Sequence, residues 1–146
     1  MLTTLNDPVL SCAPAVRLAF LETLSLLAHA DGVIDDQEVI FLTRMAEELQ
    51  LEVSAEALLQ EARPMDDARA ELLEPIAGYV VLQGALLVVA DGHCHIAERE
   101  LLEELASALD VAPDLVGEVL AWAELGTQWI AQGVGLMARL EGLEPG

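Results

Sequence analysis

A chain of 146 residues has the length of one ordinary domain and can bury roughly 70% of its unfolded surface, so it needs neither disulfides nor a structural metal merely to fold. Hydrophobic residues make up 54% and aromatics only 3%, which points to aliphatic helix packing rather than a sandwich with aromatic plugs. Six arginines, no lysine and 26 acids give a net charge of −20, a field that disfavours nucleic acid and anionic membrane surfaces and attracts cations or a basic protein partner.

In chain order, residues 1–13 read as an irregular lead-in to a single helical domain over 14–146. The lead-in lacks a positive n-region and an apolar core, so no signal peptide is expected. Pro14 suits the first turn of a helix running to about Ala30, and Asp31-Gly32 stops it. Asp35, with Glu38 three residues on, is a capping-box-like start for a second helix to about Leu49. Ser54 opens a third that ends before Pro64, and Asp66 to Glu74 fits a short fourth. Pro75 begins a fifth, apolar helix ending at Asp91-Gly92. Its stretch Ile76 to Ala90 is broken by Gln83 and too short to span a bilayer comfortably, so it predicts a buried central helix. A sixth runs from about Ala97 to Leu109, and Pro113 starts the last. That last region carries Trp122 and Trp129 one heptad apart, the spacing of core residues, and Gly126, Gly133 and Gly135 leave its far end open. No window alternates at period two, so no strand is expected. The result is an all-α, compact domain of about seven helices.

The chain also repeats itself. A shift of sixty residues lays Leu27–Leu51 over Leu87–Val111 without a gap, matching Leu27, Ala30, Asp31, Gly32, Glu38, Leu42, Ala46 and Leu49 to Leu87, Ala90, Asp91, Gly92, Glu98, Leu102, Ala106 and Leu109. Helical register explains the leucines and alanines, but it does not require Asp, Gly and Glu to recur. Two pseudo-symmetric helix–loop–helix units follow, the first about 14–51 and the second about 75–111.

Both loops read Asp-Gly-x-x-x-x-x-Glu, like the second half of an EF-hand loop. The first ligand position would be Leu27 or Leu87, which excludes a true EF-hand. Loop one offers Asp31, Asp35, Asp36 and Glu38 as oxygens. Loop two offers Asp91, His95 and Glu98, with His93 and Cys94 beside them. Asp31 and Asp91 stand at helix C-terminal ends, where the macrodipole disfavours negative charge and a cation would relieve it. The plainer reading is that Asp-Gly is a helix stop and Glu38 or Glu98 a helix-start residue. Cys94 occupies the place of Ile34 and reads as a small core residue, His29 as a structural helix-end residue, and His93 and His95 as exposed. Cys12 and Cys94 follow no paired spacing, so neither a disulfide framework nor a redox pair is expected.

Ala28-His29-Ala30-Asp31-Gly32-Val33-Ile34-Asp35-Asp36-Gln37-Glu38, followed by Leu42 and Ala46, resembles the signature of the tellurite-resistance TerB-like family, and Ala90-Asp91-Gly92 with Glu98 resembles its second, degenerate copy. The resemblance covers about residues 14–112. It implies an all-helical fold of two related halves and a divalent-cation site formed by Asp31, Asp35, Glu38, Asp91 and Glu98, with a role near membrane-associated stress or chaperone systems. Cys94 and His95 depart from that pattern, and His95 would admit zinc where calcium, magnesium or manganese suit loop one. The expectation is therefore a non-catalytic, cytoplasmic, cation-binding module, associated with membrane complexes only through partners. A metal-independent adaptor with an acidic docking surface is the alternative. No nucleophile elbow, phosphate loop or HExxH pattern points to an enzyme.

Overall fold

Pro14 sits in the first turn of its helix, where its missing N–H is no loss, and the chain then runs helically to the alanine before His29. The computed structural model describes residues 7–30, 36–60, 64–90 and 96–142. The helices are α1 (Asp7–Leu10), α2 (Pro14–Ala28), α3 (Asp36–Glu48), α4 (Ala55–Gln60), α5 (Asp67–Leu73), α6 (Ala77–Val88), α7 (Ile96–Ala108) and α8 (Pro113–Leu140). A 3-10 turn, Glu74–Ile76, carries Pro75 and joins α5 to α6, so Pro75 marks a joint rather than the clean start of a fifth helix. Among the described residues there is no strand. The lead-in is not wholly irregular: α1 forms a single turn and seats Val9 fully inside the core.

Side-chain caps begin the short helices. Ser54 Oγ accepts from the Ala57 N–H at 3.1 Å at the head of α4, and an Asp66 carboxylate oxygen accepts from the Arg69 N–H at 2.7 Å at the head of α5. α3 and α7 end identically. Leu51 N–H reaches the Ala46 carbonyl at 3.0 Å and Gln50 N–H the Glu47 carbonyl at 3.1 Å. In α7, Val111 N–H reaches Ala106 at 2.8 Å and Asp110 N–H reaches Ser107 at 3.1 Å. These are Schellman closures, and the residue that turns left-handed in each, Gln50 at φ 58° and Asp110 at φ 62°, is not glycine.

α2 and α6 pack on each other at the centre. α3 lies against α2, α4 and α6, and α7 lies against α6, α8 and α2. α4 returns to α2, and α8 returns to α6. Exchanging α2 with α6, α3 with α7 and α4 with α8 leaves these contacts unchanged, whereas the packing of α5 on α2 has no counterpart. The buried positions repeat as well: Glu38, Leu42, Met45, Ala46 and Leu49 in the first unit, and Glu98, Leu102, Leu105, Ala106 and Leu109 in the second. One continuous core results, running from Val9 to Ala123.

Three helices crowd together at Gly84. A Cβ there would lie 2.8 Å from Leu27 Cδ1 and 2.9 Å from Leu102 Cδ1, so the missing side chain is what lets α2, α6 and α7 meet. The run Asp67–Val88 is the one stretch among the described residues long and apolar enough to cross a membrane. Half of its most apolar part is buried, and α2, α7 and α8 pack on α6, as expected of a central core helix.

α8 departs from expectation. It continues unbroken through Gly126, Gly133 and Gly135 to Leu140. Only its first half is anchored, by Val116, Leu120 and Ala123. Trp122 and Trp129 are not core residues, being 42% and 71% exposed. Their heptad spacing is real, but it marks a face of α8 turned away from α6 and α7.

Candidate functional site

The two acidic loops each join a helix that ends in the same way to a helix that begins in the same way. At the end of α2, the N–H of His29 bonds the Ser25 carbonyl at 3.1 Å and that of Ala30 bonds Leu27 at 3.2 Å. At the end of α6, Val89 bonds Ala85 at 3.3 Å and Ala90 bonds Leu87 at 3.1 Å. His29 is the exposed C-cap residue of α2. Beyond the loops, α3 opens at Asp36 and α7 at Ile96.

Of the residues expected to form the site, Glu38 and Glu98 lie among the described residues. Asp31, Asp35, Asp91 and His95 lie outside them, as do His93 and Cys94. Glu38 and Glu98 are each the third residue of their helix, and their exposures are only 5% and 2%. Glutamate is almost never buried to this degree unless its charge is matched, and both residues take part in polar or electrostatic interactions. The first helical turn supplies part of the match, because its free N–H groups and the macrodipole favour an anion. Asp36, offered by the sequence as a further oxygen, is exposed. Among the described residues no three His, Cys, Asp or Glu side chains converge as a metal-holding group.

The chemistry of this arrangement is that of two carboxylates, one from each unit, turned inward where their helices meet the acidic loops. Oxygen donors of that kind suit hard divalent ions. The burial itself was beyond sequence reasoning, because a glutamate three residues into a helix reads as an exposed cap. A second surface was misread altogether: Trp122, Leu125, Gly126 and Trp129 line a shallow notch on the exposed side of α8. Acid-free length alone does not reveal it, since 125–140 and the central 75–90 each run sixteen residues without an acid. No family model, curated protein or solved structure matches the chain.

Proposed function

We propose that the chain is a non-catalytic, TerB-like module that binds divalent cations through its two Asp-Gly…Glu loops. The observation that carries the reading is the paired burial of Glu38 and Glu98 at equivalent points beside those loops. A lone buried glutamate has many explanations. Two, at one spacing and each seven residues after an Asp in the sequence, favour a common chemical demand from both units. The swap-invariant packing of α2–α4 and α6–α8 supports a pseudo-twofold relation between the halves. In this reading Asp31, Asp35 and Glu38 would hold a calcium, magnesium or manganese ion in loop one. Asp91, His95 and Glu98 would accept zinc in loop two. The resemblance adds a cytoplasmic role in a stress response, reached through protein partners.

The competing reading is a metal-independent adaptor. What favours it is the acidic outer surface of α3 and α7, where Glu47, Glu48, Glu100, Glu103 and Glu104 are all exposed and a basic partner could dock. Glu38→Gln and Glu98→Gln separate the two. Glutamine keeps a helix-capping hydrogen bond but is a poor ligand for a hard cation. Under the cation reading, native mass spectrometry of metal-free protein titrated with calcium, magnesium, manganese and zinc gives stoichiometric adducts that each substitution abolishes in its own loop. Absence of adducts, or adducts indifferent to both substitutions, replaces this reading with the adaptor.

A further inference from the structure

The outer half of α8 is apolar, helical and uncovered. Past Ala123 it buries nothing, yet Leu125, Trp129, Ile130, Val134, Met137 and Leu140 are between 58% and 85% exposed. With Trp122 and Leu136 they leave on the order of 700 Å² of apolar side chain on this one helix. It is spread over about half of the helix circumference, and it is near the roughly 800 Å² each partner gives to a stable interface.

The face has an internal pattern. Trp122, Gly126, Trp129, Gly133, Leu136 and Leu140 follow one another at steps of four, three, four, three and four, the seam of a helix that packs on another helix. From Trp122 to Leu136 large and small residues alternate along it. The glycines serve no close approach within the chain, since a Cβ at Gly126 or Gly133 would meet nothing within 4 Å. The Gly126 position is already a notch walled by Trp122 and Trp129.

The geometry points to a second copy of this chain as the occupant. We propose that two α8 helices pair antiparallel about a twofold axis near Ala131. In that register Trp129 of each chain lies over Gly133 of the other, Leu136 fills the notch at Gly126, and Trp122 meets Leu140. The pattern is self-complementary in this direction, as a twofold interface requires. Charge agrees with it. Two chains of −20 repel over most of their surfaces, but the segment 125–140 has no acid and one base, Arg139. The antiparallel register sets Arg139 within one residue of Glu124 of the second copy and holds the two acidic bodies at opposite ends of the pair. An anionic membrane would meet the same −20 field and find only Arg139 on the helix.

Sedimentation equilibrium of the full chain over a hundredfold concentration range at physiological ionic strength tests this. The expected result is a reversible monomer–dimer equilibrium in the micromolar range. Trp129→Glu should leave a monomer throughout. Gly133→Leu fills the seat of the opposing Trp129, and its Cβ meets nothing within 4 Å in its own chain, so it should weaken the dimer at least tenfold with unchanged helicity. Spin labels at Gln132 should approach each other across the pair, while labels at Arg139 stay about 24 Å apart along the helix axis. A monomer at every concentration, including one that instead binds neutral phosphatidylcholine vesicles, overturns the proposal. So does a dimer indifferent to both substitutions, or one with equal separations at the two labels.

Discussion

Arg69 and Glu22 form an ion pair at 3.7 Å that ties α5 to α2, the arginine buried to 5% exposure and the glutamate to 24%. The same guanidinium donates to the Pro64 carbonyl at 3.3 Å. Removing one partner of a largely desolvated pair takes a counter-charge away from the other. Arg69→Ala should therefore lower stability by about 2 kcal/mol, and Glu22→Gln by a similar amount. Guanidinium chloride unfolding measures both. A loss below about 0.5 kcal/mol would show that the pair behaves like an exposed one.

Gln50 and Asp110 hold the left-handed position that glycine usually takes at a helix end. Gln50→Gly and Asp110→Gly should each stabilise the fold by about 0.5–1 kcal/mol. Asp110→Gly should gain the more of the two, because it also removes a negative charge from the C-terminal end of α7. Equal or opposite shifts in melting temperature would refute that ordering.

Two other glycines should respond with opposite signs. Gly84→Ala drives a methyl into Leu27 and Leu102, both fully buried, and should cost about 1–2 kcal/mol despite alanine's better helix propensity. Gly135→Ala meets nothing within 4 Å inside a helix and should add about 0.5–1 kcal/mol. Thermal melts of the two variants side by side are sufficient, at roughly 2–4 °C per kcal/mol for a chain of this size.

The cation reading predicts a thermal signature. At a hundredfold excess over the dissociation constant, a bound divalent ion should stabilise the native state by about 2.7 kcal/mol, beyond any effect of sodium at equal ionic strength. Asp31→Asn and Asp91→Asn should each reduce that gain and leave the metal-free melt intact or slightly raised, since a carboxylate at a helix C-terminal end is unfavourable. Identical melts of wild type and both variants, with and without each metal, would make the loops helix caps.

The helices were legible because local signals set them: Pro14, Ser54, Asp66 and Pro113 stand at or beside the helix starts that the structure has. The repeat was legible as a sixty-residue shift, and it returns in the matched burial of α3 and α7. α1 was missed because four residues carry no periodicity. The tryptophans were misplaced for a different reason. Periodicity reports that one face of a helix is apolar, but not what lies opposite, and α8 outruns the body that covers Val116, Leu120 and Ala123. The burial of Glu38 and Glu98 is likewise set by neighbours remote in sequence. Of the expected site, Asp31, Asp35, Asp91 and His95 fall outside the described residues.

The central pairing of α2 with α6 bears on how the molecule comes apart. α2 touches α7 as well as its own partners α3 and α4, and α6 touches α3 as well as α7 and α8. Each unit therefore completes its interior with a helix from the other. Stripping either away would leave the apolar side of α2 or α6 bare to water, so a half-folded species has little to stabilise it. Unfolding should be all-or-none across both units, with one calorimetric peak whose van't Hoff and calorimetric enthalpies agree.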